Sequence, residues 1–358
     1  IVSGGQDGTV RMWNPQGQEI GQPLKGHQGE VSSVAISMDG KTIVSGGDDG
    51  IRMWKREGRQ IGQPFKGHQG RVLSVAISTD GQTIVSGGRD GIVRMSNPQG
   101  RQIGQPFKGH QGFVYSVAIS TDGKTIVSGG DDGTVRMWNR EGGQIGQPFK
   151  GHQVVVSSVA ISRDGQTIVS GGLDGTVRMW NPKGEQIGQP FKGHQGVVSS
   201  VAISRDGQTI VSGGQDGTVR MWNPQGQEIG QPLKGHQGEV SSVAISMDGK
   251  TIVSGGDDGI RMWKREGRQI GQPFKGHQGR VLSVAISTDG QTIVSGGRDG
   301  IVRMSNPQGR QIGQPFKGHQ GFVYSVAIST DGKTIVSGGD DGTVRMWNRE
   351  GGQIGQPF

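Results

Sequence analysis

The sequence predicts an all-β protein: small four-stranded antiparallel sheets set radially and closed into a ring. Three observations carry that prediction. IVSGG recurs at residues 1, 43, 84, 126, 168, 210, 252, 293 and 335, a period of 42 residues shortened to 41 in the second and seventh units. Each unit holds four strand-like runs separated by turn residues. No stretch shows the 3.6-residue apolar period of a helix, and the 70 glycines of the 358-residue chain would penalise one. A period of this length marks an array of supersecondary units, and closing such an array protects its sheet edges.

Taken in chain order, the first run of a unit is VSSVAIS, small and β-branched on both faces, as suits a strand covered on both sides. A turn such as MDGK leads to TIVSGG, β-branched and ending in two glycines. QDG or DDG turns it into TVRMWN, which alternates. PQG or REG then leads to QIGQPFKGH, and GHQG starts the next unit. The second, third and fourth runs occur nine times and VAIS eight times. The expectation is eight complete sheets plus a three-strand ninth, an eight- or nine-membered ring formed as one domain over 1–358. The two short units have lost one residue near Ile51 and Ile260. Residues 210–358 repeat residues 1–149 without a difference.

With aromatic residues at 5%, one conventional core is hard to assemble, whereas many thin sheets are not. The absence of cysteine excludes disulfides and thiolate metal sites. No apolar run reaches membrane-spanning length, and the N-terminus lacks a signal peptide's pattern, so a cytoplasmic protein without membrane contact is expected. The formal net charge is +8, but it is spread by repetition: one arginine stands at each of Arg11, Arg52, Arg94, Arg136, Arg178, Arg220, Arg261, Arg303 and Arg345. That dispersal speaks against nucleic acid as partner.

GHQGEVSSVAIS followed by DGKTIVSGGDDG and RMW resembles the WD-repeat β-propellers, with their Gly-His and Trp-Asp landmarks. The likeness runs through essentially the whole chain and is greatest to the highly repetitive bacterial, cyanobacterial-type members. Asn or Lys follows the tryptophan here (Trp13-Asn14, Trp54-Lys55), where the family usually has Asp. The resemblance implies a buried hydrogen-bonded chain of four residues in each blade, here His27, Ser45, Asp49 and Trp54, with His110, Ser128, Asp132 and Trp138 as equivalents. A buried imidazole must satisfy both nitrogens, and an Asp in a tight turn and a Ser on the adjacent strand can do so. The same inventory invites a hydrolase reading. An enzyme, however, needs one site in a cleft beside an oxyanion hole, not a copy in every unit. Ser96 and Ser305 stand where tryptophan is expected, so those blades should be looser. GGDDG lacks the following helix of a phosphate cradle, and one histidine per unit is no metal-ligand spacing. No catalytic residue, metal or cofactor is expected.

Comparison between the units separates what the fold fixes from what it leaves free. Three positions vary most: three and five residues after the histidine, and the residue before the turn Asp. In a propeller all three lie at the Gly-His end of the ring, the family's usual partner-binding surface. They give an acidic sector (Glu30, Asp48), a basic one (Arg71, Leu73, Arg89), an aromatic one (Phe113, Tyr115) and an apolar one (Val155, Leu173). Arg280, Arg298, Phe322 and Tyr324 repeat the basic and aromatic sectors. Exposed aromatic residues beside arginine have the composition of an interaction hot spot. The expected function is a non-enzymatic scaffold that binds a protein or peptide on this face. The alternative is a structural, engineered or recently amplified repeat protein without a specific ligand, for which the exact copy of residues 1–149, 209 residues further on, speaks.

Overall fold

The computed structural model describes residues 27–55, 60–329, 332 and 334–341, with the backbone alone of Ser3–Gly4, Thr9–Arg11, Leu24–Lys25 and Val344–Trp347. Trp13 and Asn14 lie outside these residues. The chain forms a β-propeller of four-stranded antiparallel sheets. In one of them Val114–Ile119, Thr125–Gly130, Thr134–Asn139 and Phe149–Lys150 pair in chain order, each antiparallel to the last. Val117 faces Ser128, Ser128 faces Arg136, and Val135 faces Phe149.

The fourth run is shorter than its sequence suggests. Of QIGQPFKGH, only Phe149–Lys150 forms a strand in this sheet, with a single bridge from Trp138 to Gln144. Gly146 at φ 68° bends the run and Pro148 has no N–H to give. In one of the two shortened units QIGQPF counts as one strand, Gln269–Phe274, but Gly271 at φ 64° bends it too and its pairing shifts register between Ile260 and Met262.

Neighbouring sheets bury the core between them. Val127, Val135, Met137 and Phe149 of one sheet meet Val156, Val159, Ile168 and Trp180 of the next. The unvarying glycine pair follows from this packing: a Cβ on Gly129 would stand 2.5 Å from Val156 Cγ1. A bond from Val159 N–H to Ser116 Oγ, 3.1 Å, crosses the same junction.

The inner strands Val31–Ile36, Val72–Ile77, Val114–Ile119, Val156–Ile161, Val198–Ile203, Val240–Ile245, Val281–Ile286 and Val323–Ile328 pack in sequence, and the last packs on the first. The closing junction is looser than the rest. A Cβ on Gly338 would come no nearer than 3.1 Å to Val34, against 2.3 Å for Gly296 and Val323. The crossing bond recurs at Val75, Val117, Val201, Val243, Val284 and Val326 but, among the described residues, not at Val34.

The expectation of eight complete sheets and a three-strand ninth needs correction. Six sheets carry four strands; those begun by Val31–Ile36 and Val323–Ile328 carry three among the described residues, the former with Phe65 bridging to Ile51. The unit Ser3–Gly4, Thr9–Arg11, Leu24–Lys25 lies beside Ile335–Gly339 and Val344–Trp347 and does not enter the cycle. An inner strand is what touches both neighbours, and this unit shows none among the described residues.

Each inner strand starts with a β-bulge. In the register of Val114 and Ser116 against Gly130 and Gly129, Tyr115 is the extra, unpaired residue. Ser32, Leu73, Ser157, Ser199, Ser241, Leu282 and Tyr324 occupy the same place. This is the position five residues after the histidine, and its release from the ladder explains why it can vary.

Candidate functional site

The four-residue chains are built as one would expect from their chemistry. His110 Nε2 stands 2.8 Å from Ser128 Oγ and its Nδ1 2.9 Å from Asp132 Oδ1, while Trp138 Nε1 donates to Ser128 Oγ at 2.9 Å. His27 contacts Ser45 Oγ at 2.7 Å and Asp49, and Trp54 Nε1 donates to Ser45 at 3.1 Å. The other sheets place His68, His152, His194, His236, His277 and His319 likewise between a serine and an aspartate. Ser128 is fully buried and its oxygen already serves two neighbours, so no acyl group can reach it.

The lost residue changes one end of this chain. Asp48 and Asp49 become a two-residue turn between paired Gly47 and Gly50. Arg52 then reaches Asp49 at 2.9 Å, where Arg136 stays 3.6 Å from Asp132. Burial raises the Asp49 carboxyl, but His27 and Arg52 outweigh it and hold the pKa at about 2. Burial also lowers His27 and His236, so both imidazoles are neutral at pH 7.

At the Gly-His end, the structure groups the variable residues differently from the sectors read in the sequence. Arg71 is no free cation: its Nε donates to Asp48 at 2.7 Å and its Nη2 to Glu30, both on the preceding sheet. Arg280 meets Asp257 and Glu239 in the same way. The acidic and basic sectors therefore neutralise each other. Burial raises the Glu30 carboxyl, with Arg71 opposing. Leu73 is half-buried at its bulge.

Arg89 is exposed and belongs instead to the aromatic pair. Its guanidinium lies over the Phe113 ring, 5.7 Å from the centroid, and Phe113 meets Tyr115 edge-on at 6.1 Å. Phe113 and Tyr115 are each 37% exposed. Arg298, Phe322 and Tyr324 repeat the arrangement, with Arg298 5.5 Å from the Phe322 centroid. Burial and then Asp131 raise the Tyr115 phenol; at Tyr324 burial, Glu30 and Asp340 do so, Glu30 reaching across the closing junction. Leu173 and Val155 come together through a backbone bond of 2.9 Å, Leu173 exposed and Val155 half-buried.

One feature escaped the sequence. The opposite mouth of the central channel, formed by the Asp-Gly turns, opens into a cavity of about 560 Å³. Ile161, Ile203, Ile245 and Ile286, at the ends of inner strands, line it with Met38, Met247, Arg163 and Arg205 and with serines and threonines of the turns. Each named residue lies in a different turn or strand of the chain, so only the ring brings them together. Met38 and Met247, the apolar residues among polar ones before Asp-Gly, were the available signal.

The family described as WD40 (WD domain, G-beta repeat) matches residues 1–14, 17–55, 58–95, 100–139, 143–181, 184–223, 226–264, 267–304 and 309–348. No curated protein matches the chain. Among solved structures it is similar to the crystal structure of the computationally designed Ika8 protein, at 29% identity and a TM-score of 0.79, over 90% of this chain and 98% of that one.

Proposed function

Since the chain belongs to the WD40 family of β-propellers, whose members ordinarily act as protein-interaction scaffolds, we propose that it binds a protein or peptide on its Gly-His face, by display and without catalysis. The observation that carries this reading is the aromatic pair held under an arginine from the neighbouring sheet, present twice. Two stiff rings and a stacked guanidinium offer a preorganised surface, so a partner's binding energy is not spent on ordering the site. Val154 and Leu173, 45% and 42% exposed, extend the patch with apolar area.

A displayed library of random peptides, selected on the chain and counter-selected on a Phe113/Tyr115/Phe322/Tyr324→Ser variant, tests the proposal. Peptides that bind the first and lose at least roughly tenfold in affinity for the second are expected, at about 1–2 kcal/mol per hot-spot residue. Peptides that bind both alike would place the site elsewhere.

A second reading has its own support. A protein built for symmetry or recently amplified needs no ligand, and the exact copy of residues 1–149 at 210–358 together with the likeness to a computationally designed protein favours it. It predicts that the same library yields nothing specific.

A further inference from the structure

The cavity at the Asp-Gly mouth is independent of the Gly-His face, and its lining has a chemical direction. Its lining has an aliphatic part, four isoleucines from consecutive inner strands with Met38 and Met247, beside the serines, threonines and charged residues of the turns. Methionine adapts to irregular apolar shapes, and the volume lies within the range of small-molecule sites. Met38 is 45% exposed, so apolar surface faces the opening.

The charge lies on one side. Arg163 and Arg205 are adjacent around the rim, both exposed, and among the described residues neither has a carboxylate within ion-pair distance. Arg205 Nη1 donates to the thioether of Met247 at 3.1 Å, a weak acceptor for a guanidinium. The carboxylate that lines the cavity is already engaged: Asp122 accepts from Ser120 Oγ at 2.6 Å and from Lys124 N–H at 3.0 Å. At the other mouth Arg71 and Arg280 each have two carboxylates. The contrast marks the pair at the rim as lacking an anion.

We propose that this mouth is a binding site for a small amphipathic carboxylate: an aliphatic chain against the isoleucines and the carboxylate between Arg163 and Arg205. The guanidinium fork matches a carboxylate by two parallel hydrogen bonds, and the chain supplies the apolar area that a bare anion lacks.

Calorimetric titration with octanoate, with acetate as its head alone and 1-octanol as its chain alone, tests this on the whole chain. Octanoate is expected to bind one to one, and the other two at least roughly tenfold more weakly. An Arg163→Gln/Arg205→Gln variant, altered only at exposed side chains and checked by its melting curve, should lose about tenfold for octanoate and nothing for 1-octanol. Acetate binding as tightly as octanoate, octanoate unaffected by the double substitution, or octanoate failing to bind would each overturn the proposal.

Discussion

In the sheet that holds Trp138, the indole stacks on Phe107 of the preceding sheet, 5.4 Å between centroids, and Phe107 is 1% exposed. One sheet earlier, Ser96 stands where the indole would be, and Phe65 occupies the space. Phe65 Cζ lies 2.9 Å from where a Cβ on Gly67 would be; at Gly109 the aromatic atom found there, at 3.0 Å, is Trp138 Cη2. Phe274 does the same above Ser305. The expected looseness is thus largely filled by a moved phenylalanine. Both such phenylalanines come from the units that lost a residue, so the two irregularities of the sequence meet at one junction. The substitution is still imperfect. Phe65 is 7% exposed and the Ser96 hydroxyl is buried without a partner. Yet His68 keeps Ser86 at 2.8 Å and Asp90 at 2.9 Å. The tryptophan therefore serves the core, while the turn aspartate and strand serine position the histidine.

Putting serine at a tryptophan site breaks the comparison most severely. Trp138→Ser should cost about 3–5 kcal/mol in urea unfolding, since Phe107, in a full-length unit, is not set to follow. A cost below about 1 kcal/mol would show that any of the phenylalanines can fill the space and that the lost residue is irrelevant.

An acid titration sharpens the contrast between shortened and full units. The folded pKa of Asp49 lies below its ordinary value of 3.8, so its contribution is complete above that value and disappears as pH falls toward 2. Asp49→Asn should remove about 1–2 kcal/mol at pH 7, allowing for its partial exposure, and flatten unfolding free energy between pH 4 and 2. His27 and His236, lowered by burial, add a loss that starts as pH falls below 6.5, where the unfolded chain takes protons first. An Asp49→Asn protein with unchanged acid sensitivity would separate the turn from the stability of its sheet.

Ser96→Ala makes the smallest change. Removing a buried hydroxyl without a partner should be neutral or raise stability by about 1 kcal/mol, read as a shift of the urea midpoint. A loss of that size would mean that the hydroxyl has a partner in solution.

Much of this could be read from the residues. The strands, their order, the turn glycines and the His–Ser–Asp–Trp contacts are local to a unit, where spacing determines geometry. The short outer strand was missed because Gly146 and Pro148 act against a run whose composition reads as extended. Phe65 moving toward Ser96, the pairing of Arg71 with Glu30 and Asp48, and Arg163 beside Arg205 all join separate units. Which units touch depends on how the sheets curve and close, and that is written in no single repeat.

The duplicated stretch has a final consequence. The Phe113 and Phe322 patches share one sequence, yet in the cycle two sheets separate them on one side and four on the other. No rotation of the propeller exchanges them: Glu30, Asp340 and Arg71 act on Tyr324, whereas Asp131 and Arg89 act on Tyr115. A partner carrying the recognised segment twice therefore meets a single fixed chord. Avidity accrues only when its linker spans that chord, so tethered peptides of graded length would act as a ruler laid across the ring.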